Sequence, residues 1–134
     1  MVEINNKNKS RVNIKLVETA VKKFLRAYKL KNKEVSIAFI SGPEIKKINK
    51  KYRRINKPTD VLSFEGEDNF LGEILLNYGQ IKKQAEESGR TGKEELIFIL
   101  IHGLLHLIGY NDKTEKGRKE MENLGKKFIS KYSL

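Results

Sequence analysis

The sequence predicts an α+β (mixed α/β) fold, a mixed sheet of about four strands flanked by about five helices. Three observations carry this expectation. Apolar residues recur at helical spacing over several long stretches, they alternate over shorter ones, and the two kinds of stretch interleave along the chain. No repeat, Ser/Gly-rich linker or long single-sign block interrupts residues 1–134, so one domain is expected.

Residues 1–5 (MVEIN) read as a short strand. Over 12–28, Val12, Leu16, Val17, Ala20, Val21, Phe24, Leu25 and Tyr28 fall on one helical face. Residues 35–40 alternate as a strand with at least one buried face. Ser41-Gly42-Pro43-Glu44 starts a second helix, with Pro43 in the first turn, where its missing N–H does no harm. That helix is expected to turn Ile45, Ile48 and Tyr52 inward and to break at Lys57-Pro58-Thr59. Strands over 61–64 and 70–76 flank a turn at 65–69, and a polar helix follows near 78–88. Thr91-Gly92-Lys93-Glu94 matches a capping box and opens an apolar helix that ends at Gly109, a left-handed C-terminal residue. A last helix over 114–132 buries Met121, Leu124, Phe128 and Tyr132.

Composition removes several classes of function. The chain has no cysteine, which excludes disulfides, thiolate metal sites and a cysteine nucleophile. MVEINNKNKS lacks the apolar core of a secretory signal. The longest apolar stretch, residues 96–110, falls short of the roughly 18 residues of a membrane span and contains two histidines. A cytoplasmic protein with no membrane partner and no small-molecule cofactor is expected. The 28 Lys and Arg against 17 Asp and Glu give a net charge of +11, which favours polyanionic partners such as nucleic acid.

The chain's two histidines, His102 and His106, stand at i and i+4 of the apolar helix. That spacing stacks their rings on one face, so two imidazole nitrogens can converge on one ion. Gly109 then lets the chain reverse and carry Asp112 back beneath the same face, completing H-x-x-x-H-x-x-G-x-x-D. Asp112 also fits as an N-cap of the last helix, because Asp112-Lys113-Thr114-Glu115 approaches a capping box. Zinc peptidases place a general-base Glu after the first histidine; here Gly103 stands there, which disfavours peptidase chemistry. A mid-helix glycine costs about 1 kcal/mol relative to alanine, so close approach or helix–helix packing is expected at Gly103.

Lys46, Lys47, Lys50, Lys51, Arg53, Arg54 and Lys57 crowd the second helix and its end. Most serve as solvated surface, yet such a strip can also track phosphates, with arginine gripping them through two parallel hydrogen bonds. Locally, Asp60 in Pro58-Thr59-Asp60 reads as a turn-bonding side chain.

Two segments together, NKKYRRINKPTDVLSF (49–64) and HGLLHLIGYND (102–112), resemble the YbeY family of metal-dependent endoribonucleases of ribosomal RNA maturation; LGEILLN (71–77) resembles the strand between them. The resemblance implies a mixed sheet flanked by helices and a zincin-like metal helix. It implies that His102 and His106 bind the metal, and that Arg53 acts in catalysis on the RNA backbone. It departs at the third metal position, where the family has His and this chain has Asp112, preceded by Asn111 where the family usually has Asp. Two imidazoles and one carboxylate suit zinc, although another divalent ion fits too.

The function expected is a single-strand-directed endoribonuclease on ribosomal RNA, with His102 and Arg53 as catalytic residues. Its metal set is His102, His106 and Asp112, and its RNA contacts are Lys46, Lys50, Arg53, Arg54 and Lys57. The alternatives are a ribosome-associated RNA-binding protein with a structural metal, or a metal-dependent hydrolase of another substrate.

Overall fold

The computed structural model describes all residues from 1 to 134. The chain runs β1 (Val2–Asn6), α1 (Ile14–Ala27), β2 (Glu34–Phe39), α2 (Gly42–Arg53), β3 (Val61–Glu65) and β4 (Phe70–Leu76). Three helices follow: α3 (Tyr78–Ser88), α4 (Gly92–Leu107) and α5 (Glu115–Lys131). The sheet order is β1-β2-β4-β3. β1, β2 and β4 are parallel neighbours, and β3 is an antiparallel edge strand paired only with β4, Leu62 opposite Leu75.

Strand alternation sorts the side chains of the sheet onto two faces. Val35, Ile37, Phe39, Ile74 and Leu76 join the larger core with α1, α3, α4 and α5. Ala38, Leu62 and Leu75 point the other way, where Ile40 and Ile45 complete a smaller core beneath α2. α4 is the hub, packed against α1, α3, α5, β3 and β4. Its Leu96, Ile97, Leu100, Ile101, Leu104 and Leu105 are essentially inaccessible. Each such side chain contributes about 1.5–3 kcal/mol of burial free energy. No helix is long and apolar enough to cross a membrane.

The capping signals act where the sequence puts them. Ser41 Oγ accepts from the Glu44 N–H, and Thr91 and Glu94 form a reciprocal capping box at the start of α4. Other expectations are corrected. Tyr52 is 59% exposed and meets Phe64 edge-on instead of entering the core. The inward place after Ile45 belongs to Asn49, whose buried amide donates to the Lys57 carbonyl at 2.9 Å and ties the following loop to α2. α2 ends before Pro58, at Arg54 in the left-handed region (φ 60°). Gly103 serves helix-on-sheet packing: a Cβ there would lie 3.2 Å from Ser63 Oγ and 3.3 Å from Ile74 Cδ1. Asp60 makes a tertiary bond as well as a local one. It accepts from Thr59 Oγ and, at 3.1 Å, from Gln84 on α3.

Candidate metal centre

His102 and His106 lie on the one stripe of α4 that the rest of the fold leaves partly open. Their side chains are 19% and 30% exposed, and their ring centroids are 5.0 Å apart. Phe98, one turn earlier on the same stripe, lines the same cleft. The third member arrives through the turn after α4. The Tyr110 N–H bonds to the Leu105 carbonyl and the Gly109 N–H to the His106 carbonyl, the paired bonds of a Schellman ending. Gly109 takes φ 108°, a conformation that side-chain-bearing residues rarely adopt. Asn111 Oδ1 then accepts from the Lys113 N–H and tightens the turn that presents Asp112.

Asp112 Oδ2 sits 3.4 Å from His102 Nε2 and 3.7 Å from His106 Nε2. Donors bonded at about 2.0–2.1 Å to a tetrahedral ion stand about 3.3 Å from one another, so these separations fit one shared ion. One donor atom from each of the three residues lies within 4.8 Å of the others, and the group could hold a metal ion. The capping reading of Asp112 fails, because Thr114 Oγ1 accepts from the Gly117 N–H and caps α5. Burial, and then the neighbouring His102, hold the His106 imidazole below its ordinary 6.5; Asp112 and the Tyr110 backbone pull the other way. At neutral pH the ring is therefore neutral, the form a metal ligand requires.

The three side chains open into a cleft of about 920 Å³ between α4, the turn after it and the edge strand β3. Arg53 lines the cleft from the far side. Its Nη2 donates to the Ser63 carbonyl at 2.7 Å, and its guanidinium lies over the Phe64 ring at 5.2 Å. Ser63 also reaches α4, its hydroxyl donating to the Gly103 carbonyl at 3.4 Å. One residue of β3 thus touches both the arginine and the helix of the histidines.

A family model described as Endoribonuclease YbeY matches residues 3–133. The chain belongs to the YbeY family. Among similar proteins, Endoribonuclease YbeY of Acholeplasma laidlawii is 41% identical over 105 residues, covering 76% of this chain and 77% of the relative. That of Persephonella marina is 41% identical over 118 residues, covering 82% and 77%. The solution structure of TM1509 from Thermotoga maritima aligns with a TM-score of 0.69 at 32% identity, over 96% of this chain and 87% of that one.

In this YbeY family member the cleft does not gather every residue singled out from the sequence. His102, His106, Asp112 and Arg53 line it. Lys46, Lys50, Arg54 and Lys57 are exposed on α2 and the loop after it, outside its walls. Sequence reasoning missed Ser63 as a wall residue and the tie from Asp60 to α3. The alternation of 61–64 carried a usable signal for Ser63, because a polar residue between Leu62 and Phe64 must face away from the core that Leu62 enters. Nothing local could reveal Gln84 as the partner of Asp60, 24 residues away.

Proposed function

We propose that this chain, as one domain over residues 1–134, is a metal-dependent endoribonuclease that cuts single-stranded RNA during ribosomal RNA maturation in the cytoplasm. The observation that carries the reading is the meeting, in one cleft, of a two-imidazole, one-carboxylate donor set with an arginine. His102, His106 and Asp112 hold the ion, and the mixed nitrogen and oxygen donors suit zinc. When bound, zinc supplies Lewis-acid polarisation of a phosphoryl oxygen or activation of water. A carboxylate in place of a third imidazole adds negative charge and makes the ion a weaker Lewis acid.

The other steps belong to the chain's own side chains. Ser63 takes one N–H of the Arg53 guanidinium and the Phe64 ring fixes its plane, leaving its remaining donors for a phosphate. Held in this way, Arg53 offsets charge that develops on the phosphate without first having to be ordered. Lys46, Lys50, Arg54 and Lys57 extend positive surface away from Arg53 and hold the ribosomal RNA backbone. His106, held below its ordinary value by burial, would serve the ion as a neutral nitrogen donor.

The test is incubation of the purified protein with single-stranded and structured ribosomal RNA, with and without chelator. Cleavage of single-stranded regions is expected, abolished by chelation, restored by zinc and lost in His102→Ala. Cleavage that persists after metal removal, or in His102→Ala, overturns the reading.

A further inference from the structure

We infer that single-stranded RNA longer than the cleft leaves it across Phe98 and follows a second basic track, formed by the start of α4 and the outer face of α5. The inference rests on the endoribonuclease reading and extends its substrate path to a surface that α2 does not share.

Phe98 lines two concavities at once, the metal cleft and a neighbouring recess of about 310 Å³ that also holds Arg90, Lys93 and Lys126. Lys126 in turn lines both that recess and a shallow groove on α5 with Lys116, Lys119 and Lys127. The three depressions therefore adjoin through shared side chains, and beyond Phe98 the path is lined by six cations. Arg90 is paired with the buried Glu95 at 3.0 Å and lies over the Phe98 ring at 5.2 Å, so a guanidinium stands at the margin of the cleft and the unpaired charge of the track begins at Lys93.

Four acids border the track: Glu95 pairs with Arg90 at 3.0 Å, Glu115 reaches Lys119 at 3.8 Å, and Glu94 and Glu120 line the recess and the groove. The carboxylate of Glu94 is engaged in the capping box, accepting from the Thr91 N–H at 2.9 Å, which leaves Glu120 as the one of the four in neither a cap nor an ion pair. Lys93, Lys116, Lys126 and Lys127 are exposed and form no ion pair. From Lys116 to Lys127 the helix rises about 16 Å, the reach of a few nucleotides. An anionic bilayer is the poorer match, because such binding also uses apolar insertion. The large exposed apolar side chains are Met1, Tyr52, Ile55 and Phe70, none of them on this path.

The experiment compares the unmodified protein with a variant carrying Lys93→Gln, Lys116→Gln, Lys126→Gln and Lys127→Gln. Each binds two unstructured RNAs, of about 5 and about 20 nucleotides, across a salt series. The longer RNA is expected to bind the variant about tenfold or more weakly, and its log K against log[salt] slope to shrink by about 3, near 0.7 per lost phosphate contact. Affinity and cleavage of the short RNA stay unchanged. An unaltered slope for the long RNA overturns the proposal, as does equal weakening of both RNAs. Loss of binding to phosphatidylserine vesicles with RNA binding intact overturns it too. If the unmodified protein cleaves neither RNA, the endoribonuclease reading fails, while the slope difference still decides the track.

Discussion

The Ser63 carbonyl on the free edge of β3 accepts a 2.7 Å hydrogen bond from the Arg53 guanidinium. Edge strands leave outward-pointing carbonyls without a sheet partner, and here the arginine of α2 fills that role while facing the cleft. Arg53→Ala is expected to lower kcat/KM for RNA cleavage by about 10²-fold, the scale of a lost charge-stabilising donor. Arg53→Lys recovers only part of this, because an ammonium cannot hold Ser63 and a phosphate with one planar fork. Single-turnover cleavage assays check both, and full activity in Arg53→Lys would limit the residue to a point charge.

Gly103 lies where α4 presses on the sheet, and Gly103→Ala tests that closeness. Alanine gains about 1 kcal/mol of helix propensity, but its Cβ meets Ser63 Oγ at 3.2 Å and the buried Ile74 at 3.3 Å. Overpacking of this kind costs about 1–3 kcal/mol, so a net loss of about 1 kcal/mol is expected in urea unfolding. A gain in stability would mean that the interface yields freely.

Asp112 and Thr114 separate metal binding from capping. Thr114→Ala removes the acceptor for the Gly117 N–H and should cost about 1 kcal/mol with metal content unchanged. Asp112→Ala should lose bound metal while shifting the stability of the chelated protein by less than about 0.5 kcal/mol. Metal analysis alongside denaturant titration of both variants reads the two effects independently.

The depressed His106 value sets a pH dependence in the metal-free protein. Between the folded value and 6.5 the unfolded chain binds more protons, so stability rises with pH through that window and is lost as the protein is acidified through it. Above 6.5 the histidine contributes no slope. Urea midpoints of chelated protein should fall below pH 6.5, and His106→Gln should flatten that fall.

Where local chemistry suffices, the sequence was legible. The Thr91–Glu94 box, the Ser41 cap and the left-handed Gly109 each depend on neighbours within a few residues, and all three stand where their motifs put them. The histidine pair was legible for the same reason, since one helical turn fixes their relation. Asp112 was ambiguous because the same residue completes the histidine motif and opens Asp112-Lys113-Thr114-Glu115, which approaches a capping box; in the fold Thr114 caps α5 instead. Tyr52 misled because helical spacing ranks faces by apolarity, whereas Asn49 wins the inward place through its bond to the Lys57 carbonyl. The role of β3 as the wall opposite α4 depends on sheet order, which no local pattern encodes.

The three donors differ in what anchors them. His102 and His106 are fastened to the most deeply packed helix of the molecule, whereas Asp112 hangs from a short solvent-facing segment between Gly109 and Thr114. In the proposed metal set, an ion of different radius would then be accommodated chiefly by displacement of that segment, while the two nitrogens stay with the packed helix. Ion discrimination and exchange rate would consequently be properties of five or so loop residues, open to tuning by substitutions that leave the interior untouched.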